Sequence, residues 1–166
     1  FAKARKASIY AEYLGGGFSL EGWKVTAPQI GGDSYQCAIN QALEAGRVKK
    51  ENIDLLCPHG VGSGPIDYYE ANAITDIFGK NPDKPLISAF KPYVGHTLGD
   101  SALLETALLL LALDNNKVLP TLNYDDPDPK FNIKLVDRQM SKDIKTVMKI
   151  CCAFAGYNAA AVFRKT

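Results

Sequence analysis

The sequence lacks a hydrophobic run long enough to cross a membrane. Its longest apolar stretch, residues 106–113, falls far short of the roughly 18 residues that a span needs. It also lacks an excess of basic charge, since 19 basic and 18 acidic side chains give a net charge of +1. That balance argues against nucleic acid as the main partner. No apolar segment of a secretion signal follows the basic residues at the start, so we expect a cytoplasmic protein.

Cysteine is scarce, and its spacing is wrong for a metal site. Cys37, Cys57, Cys151 and Cys152 form no CxxC pair, so no zinc site is predicted. Without a secretion signal we interpret them as reduced thiols. Cys57 lies two residues before His59, but it belongs to an apolar run, and we interpret it as a core residue rather than a nucleophile.

What is present is an alternation of strand-like and helix-like segments, which is typical of an α/β domain. Of the 166 residues, 46% are apolar, which is typical of a globular chain. We treat residues 1–166 as one domain, and because the chain begins with Phe1 rather than Met we expect it to be part of a longer protein. A turn is predicted between Pro82 and Pro85. The predicted strands cover residues 8–18, 53–57, 86–90, 145–153 and 159–163, and helices are predicted to begin at 33 or 34, at 67 and at 101.

Two of the predicted helices carry informative charges. Asp67 and Glu70 have the spacing of a capping box at the start of the second helix. The helix over residues 101–113 is apolar nearly all round, which predicts burial on most sides. Glu105 lies in the middle of this helix and therefore needs a partner.

The two histidines of the chain each follow a predicted strand, and each has a glycine beside it. His59 follows one strand, while His96 and Lys91 follow another. In parallel α/β sheets, ligands bind outside the carboxyl ends of the strands, so two imidazoles at such ends can converge on one small molecule. The alternative is that these are ordinary polar residues of surface loops.

These histidines lie in segments that resemble a known family. Residues 58–70, PHGVGSGPIDYYE, resemble the AHGTSTPLGDxxE segment of the β-ketoacyl-acyl carrier protein synthases, and residues 88–99, SAFKPYVGHTLG, resemble their SSTKSMTGHLLG segment. Glu105 falls where that family has a buried glutamate. Shorter matches in the family's order are TAP at residues 26–28, LPTLN at 119–123, and FAGYN followed by VF at 154–158 and 162–163.

The resemblance implies the C-terminal half of an elongating synthase with a thiolase-like fold, its sheet mixed but mostly parallel and flanked by helices. The family's nucleophilic cysteine belongs to the N-terminal half, and no cysteine here matches it. The family condenses acyl and malonyl thioesters with loss of carbon dioxide, in fatty acid or polyketide synthesis. The chain alone is therefore expected to be inactive in condensation, and the complete protein is expected to form a homodimer or heterodimer.

The same resemblance assigns the site. His59 and His96 would donate N–H groups to the malonyl thioester oxygen as negative charge builds on it, and one of them would help carbon dioxide to leave. Lys91 would act beside them and pair with Glu105. No metal or resident cofactor is implied, because phosphopantetheine arrives on the acyl carrier protein, which is the expected partner. The remaining assignments are contacts to the substrate arm at Val61, Ser63, Phe154 and Asn158, and an acyl-pocket gate at Cys152.

Two other interpretations stay open. The chain-length-factor subunits that partner a ketosynthase differ from it mainly at the nucleophilic cysteine, which this chain cannot show. The domain could therefore belong to such a non-catalytic subunit or scaffold. A degradative thiolase is ranked last, because residues 153–156 lack the second cysteine that such an enzyme carries near its C-terminus.

Overall fold

The computed structural model describes residues 1–29, 31–80 and 85–166, so the turn predicted between Pro82 and Pro85 lies partly outside the described residues. Among the described residues, no helix is long and apolar enough to cross a bilayer. The strands are β1 (Glu12–Leu20), β2 (Leu55–Cys57), β3 (Leu86–Ile87), β4 (Lys117–Val118), β5 (Met140–Ser141), β6 (Thr146–Ala153) and β7 (Tyr157–Arg164). The α-helices are α1 (Asp33–Gly46), α2 (Gly64–Phe78), α3 (Lys91–Val94) and α4 (Ser101–Asn115).

Five strands form one mixed sheet in the order β1-β7-β6-β2-β3. A tight turn at Phe154–Gly156 joins β6 to β7, so these two pair antiparallel, and β1 pairs antiparallel with β7 at the edge. β2 pairs in parallel with both β6 and β3. The predicted mixed, mostly parallel sheet with flanking helices is confirmed, because β1, β6, β2 and β3 run in the same direction and β7 runs in the opposite one. The reversed direction of β7 arises because it is the second strand of a hairpin, so it pairs antiparallel with both β6 and β1.

Helices cover both faces of the sheet because successive side chains of a strand point to opposite faces. Leu56 belongs to the apolar cluster that includes Ile74 of α2, whereas its neighbour Leu55 belongs to the cluster that includes Leu113 of α4. β2 is therefore buried on both sides, as its short apolar sequence predicts. The loop that leaves β2 begins in the core of the domain.

The edge strand β1 is shaped by its glycines. It begins and ends later than the predicted residues 8–18. A Cβ on Gly15 would lie 2.4 Å from the backbone nitrogen of Gly46, and one on Gly17 would lie 2.0 Å from the carbonyl oxygen of Ala38. Both of these atoms belong to α1, so the glycines let that helix lie directly against the strand.

Replacing Gly17 with alanine is expected to lower the free energy of unfolding by about 1–3 kcal/mol, because the methyl group meets helix backbone that cannot rotate away. Gly16→Ala is the matched control. Its new Cβ would meet the hydroxyl of Tyr13 at 2.5 Å, the far end of a side chain that is 61% exposed, while the nearest backbone atom, the carbonyl oxygen of Ala160, would be 3.1 Å away. Urea denaturation of both variants measures the difference. Equal midpoints would contradict this account of the packing.

The expectation that α4 is buried on most sides is wrong. Glu105, Leu109 and Leu113 are buried against the sheet. Leu103 on the same helix is 74% exposed and Leu111 is 47% exposed. Only one face of the helix packs in this chain, although its composition is apolar all round.

Candidate active site

The two histidines meet, as the strand-end argument predicts. His59 follows β2 by two residues, and His96 follows the short helix α3 that begins four residues after β3. Their ring centroids are 5.4 Å apart and the rings are nearly perpendicular, at 88°. His59 is buried, His96 is exposed, and both line one cavity of about 510 Å³. The geometry therefore allows both imidazoles to contact a single ligand.

Two carboxylates of α2 accept hydrogen bonds from the backbone of the loop after β2. Glu70 is buried and accepts hydrogen bonds from the backbone N–H groups of His59, at 2.6 Å, and Gly60, at 2.8 Å. Asp67 accepts one from the N–H of Val61 at 3.1 Å. The capping box predicted for these two acidic residues is wrong, because α2 begins three residues before Asp67 and its N-cap, Ser63, has no side-chain cap hydrogen bond. These carboxylates fix the histidine loop instead.

The partner expected for Glu105 is present. Lys91 Nζ lies 2.7 Å from Glu105 Oε1, and both side chains are buried. The hydroxyl of Ser101 donates to the same carboxylate oxygen at 2.7 Å. Lys91 also donates to the backbone carbonyl of His59. One ammonium therefore connects α4 to the loop that carries the buried histidine.

A second buried lysine belongs to this cluster, and it was not predicted from the sequence. Lys149 of β6 lies opposite Cys57 of β2 in the parallel pair. Its Nζ is 2.6 Å from Glu105 Oε2 and 2.7 Å from the carbonyl oxygen of Pro58. The signal was available, because a single lysine inside an apolar strand needs a partner for the same reason as a single glutamate inside an apolar helix.

Charge in the cluster is set by these contacts. Burial would raise the pKa of Glu105, but the charge of Lys149 and the hydrogen bonds from Lys149, Lys91 and Ser101 outweigh it and lower that pKa. Burial would lower the pKa of Lys149, but the neighbouring Cys57 and Glu105 raise it. The glutamate is therefore a carboxylate held between two ammonium groups.

His59 is neutral in this environment. Burial lowers its pKa to about 3, and the charges of Lys91, Lys149 and His96 contribute in the same direction. Lys91 Nζ lies 3.5 Å from His59 Nδ1. Because an ammonium group can only donate, it favours the tautomer in which Nδ1 is unprotonated and Nε2 carries the hydrogen. The remaining N–H of the ring is then available to a ligand.

Acid should destabilise the domain through His59. Its folded pKa of about 3 lies below the ordinary 6.5, so the unfolded chain binds a proton that the folded chain excludes. This exclusion stabilises the folded chain above about pH 6.5. The stabilisation is lost as the pH falls towards 3, by up to about 1.4 kcal/mol per pH unit. Urea midpoints should fall from about pH 7 to about pH 5, although Glu70 and Asp67, whose pKa values burial raises, act in the opposite direction. His59→Gln should remove that slope, and an unchanged slope would contradict the assignment.

The other residues predicted from the sequence fall into two groups. Val61, Cys152 and Phe154 line the cavity that the histidines share. Ser63 is not among the described residues that line it, and Asn158 is buried beneath the β6–β7 turn, where its side-chain amide donates to the carbonyl oxygen of Gly156 at 3.2 Å. The turn therefore forms the wall of the cavity, and Asn158 supports it from behind.

The thiols in the cavity are poorly suited to act as nucleophiles. Burial raises the pKa of both Cys151 and Cys152, which line the cavity. Cys57 is fully buried beside the lysine cluster, and burial raises its pKa to about 11. Since the thiolate is the reactive form, the raised pKa makes these three cysteines poor nucleophiles.

Comparisons with known proteins agree with one another. The family described as "Beta-ketoacyl synthase, C-terminal domain" matches residues 10–125. The 3-oxoacyl-[acyl-carrier-protein] synthase 2 of Coxiella burnetii is 32% identical over 165 residues, which are 99% of this chain and 40% of that protein. The solved ishigamide ketosynthase/chain length factor is 34% identical with a TM-score of 0.93, over 99% of this chain and 40% of that one.

A second solved structure contains a type II polyketide acyl-carrier protein in complex with its ketosynthase, bound to the hexaketide. It is 28% identical with a TM-score of 0.94, over 99% of this chain and 41% of that one. The chain thus spans about two fifths of the length of these relatives.

Proposed function

The chain belongs to the β-ketoacyl synthase family as its C-terminal domain, and we propose that it supplies the decarboxylation and charge-stabilising side chains of a 3-oxoacyl-acyl carrier protein synthase. The thiolase-like fold predicted from the sequence is confirmed by the ketosynthase structures that match nearly the whole chain. The observation that carries the proposal is the pair of imidazoles, 5.4 Å apart, in one cavity. Lys91, which pairs with Glu105, donates a hydrogen bond to the backbone carbonyl of His59.

The proposed chemistry follows from where charge develops. As the malonyl thioester loses carbon dioxide, its C–C bond breaks and the electron pair moves onto the thioester oxygen as an enolate. The Nε2–H of neutral His59 and an N–H of His96 donate to that oxygen and lower the barrier. The enolate carbon then attacks the acyl thioester, and the thiolate that held the acyl group leaves.

The acyl group has to be held elsewhere. The pKa of each thiol near the histidines is raised, so we place the nucleophilic cysteine in the part of the complete synthase outside this domain. Alone, the 166-residue chain should form no 3-oxoacyl product. The substrate arm would enter along Val61 and Phe154 towards the histidines, with Cys152 at the gate of the acyl pocket.

The test uses the complete protein that contains this domain. Incubated with malonyl-acyl carrier protein and an acyl-carrier protein primer, it should release carbon dioxide and form a 3-oxoacyl thioester. A protein that does neither would contradict the proposal. Condensation by the 166-residue chain alone would contradict the location of the nucleophile outside it.

A chain-length-factor-like subunit is the second candidate, because one of the solved relatives is described as a ketosynthase/chain length factor. In that case the domain would shape a pocket for a partner ketosynthase, and the residue at the nucleophile position of the preceding part would not be cysteine. Reading that residue distinguishes the two candidates. We favour the enzyme, because the histidines, Lys91 and Glu105 form one connected cluster.

The remaining features of the proposal concern what the complete protein binds. Acyl carrier protein would deliver both thioesters on phosphopantetheine, so the site needs no resident cofactor or metal. Pairing of the domain with the N-terminal half and with a second subunit is part of the same proposal. The cytoplasmic location stays a prediction from the sequence.

A further inference from the structure

Lys149 is a buried cation that the proposed chemistry does not use. Its side chain is 4% exposed, and its Nζ contacts Glu105 Oε2 at 2.6 Å, the carbonyl oxygen of Pro58 at 2.7 Å and Cys57 Sγ at 3.6 Å. Pro58 immediately precedes His59, so this ammonium holds the backbone from which the buried histidine projects.

Glu105 has a cationic partner on each of its two carboxylate oxygens. Its Oε1 already accepts hydrogen bonds from Lys91 and Ser101, both at 2.7 Å. A buried lysine is costly to desolvate, and a whole buried ion cluster can often be replaced by apolar side chains of similar volume without loss of stability. The position of Lys149 therefore points to a role beyond neutralising the carboxylate.

The charges around His59 indicate that role. Lys91 on α3 and Lys149 on β6 flank one carboxylate, Glu105 on α4, so this side of the imidazole carries a net positive charge. From α2, Glu70 faces the backbone N–H of His59. The ring of His96 lies edge-on to the imidazole. Positive charge beside an imidazole opposes its protonation, and only a neutral imidazole has both an N–H to donate and an acceptor that fixes the tautomer.

We propose that Lys149 is a positioning residue of the active site, whose ammonium fixes the Pro58 carbonyl and Glu105 so that the imidazole of His59 is correctly placed for the malonyl thioester. The kinetic part of this inference rests on the proposed function. Burial is the largest cause of the low pKa of His59, and the charges of both lysines contribute to it.

The experiment compares Lys149→Met with Lys145→Met. Methionine is unbranched and only one heavy atom shorter than lysine, and it carries no charge. Lys145 precedes the same strand, but its side chain is 74% exposed and pairs with Asp143 at 3.4 Å on the surface. In the complete synthase, Lys149→Met should lower kcat for malonyl decarboxylation by about 10- to 100-fold while KM changes less than about twofold, because the imidazole is misplaced rather than the substrate lost.

A second measurement does not depend on activity. In the 166-residue chain labelled with ¹⁵N-histidine, the pKa of His59 should rise in Lys149→Met, because one of two neighbouring positive charges is removed. Lys145→Met should leave it at the wild-type value. If Lys149 contributed only to packing, Lys149→Met would lower the stability but would leave the pKa of His59 unchanged. It would also not lower kcat while KM stayed nearly constant.

The outcomes are distinct. If the wild-type synthase decarboxylates malonyl thioester and Lys149→Met matches Lys145→Met in both kcat and the pKa of His59, the inference about Lys149 is overturned while the proposed function stands. If the wild type does not decarboxylate at all, the proposed function fails, and the NMR titration alone decides whether Lys149 acts on His59 by lowering its pKa. If Lys149→Met does not fold, Lys149→Gln replaces it, because glutamine keeps N–H donors without the charge. A wild-type rate and pKa in that variant would overturn the role of the charge.

Discussion

Replacing Glu105 with leucine is expected to lower the free energy of unfolding by about 3–5 kcal/mol, because two buried ammonium groups lose the carboxylate that they share. Lys91 and Lys149 lie 2.7 Å and 2.6 Å from its two oxygens, and neither lysine is more than 6% exposed. Without the glutamate, each must lose its proton or draw water into the core. Urea or thermal denaturation of the purified chain measures the loss.

Glu12 offers a matched control for this prediction. Its pair with Arg164 has a similar distance, 2.9 Å, but both side chains are more than half exposed. Glu12→Gln should therefore cost about 1 kcal/mol or less. Adding Lys149→Met to Glu105→Leu should recover part of the lost stability, because it removes one of the two unpaired charges. A Glu105→Leu variant as stable as Glu12→Gln would show that the cluster does not have the charges described here.

The complete synthase carrying His59→Ala or His96→Ala is expected to decarboxylate malonyl thioester about 10²–10³-fold more slowly, which is the usual effect of removing one donor to a developing oxyanion. The centroids of the two rings are 5.4 Å apart, edge to face. Each substitution therefore removes one of two neighbouring N–H donors to the same side of the substrate. Carbon dioxide release measures this step without the later condensation. His96 is exposed in this domain, so its replacement should leave the fold intact.

Cys151→Ala is the control for the histidine variants, because Cys151 lines the same cavity and has no assigned role. It should keep a rate within about threefold of the wild type, since most substitutions away from the reacting atoms change little. Denaturation midpoints for all variants separate loss of function from loss of folding. Wild-type rates in both histidine variants would remove the basis of the proposed function.

The sequence predicted the centre of the site well because strand ends are easy to locate. The apolar runs before His59 and Lys91 predict buried strands, and glycines beside His59 and His96 predict the loops that follow. Parallel neighbours β2 and β3 then bring these loops to the same edge of the sheet. The meeting of the imidazoles follows from that topology, and the resemblance added the roles.

The supporting residues could not be assigned as easily, because their partners are distant in sequence. Glu70 has the spacing of a helix cap, and only the fold shows that its carboxylate accepts from the N–H groups of His59 and Gly60. Lys149 is 44 residues from Glu105, and the register of β6 on β2 was needed to place them together.

The burial of α4 was also predicted wrongly from the sequence. The composition of this helix cannot say which face packs within the chain, and the 74% exposure of Leu103 follows from the position of the helix on one side of the sheet.

The carboxylates beneath the histidine loop also restrict how the domain can stabilise an oxyanion. The N–H groups of His59, Gly60 and Val61 all point to Glu70 or Asp67, so three successive main-chain donors are already engaged. An anionic oxygen on the substrate therefore finds no amide nest in this stretch of backbone. Any donor that this loop presents to the substrate therefore has to be a side chain. The backbone around His59 cannot take over the part of its imidazole.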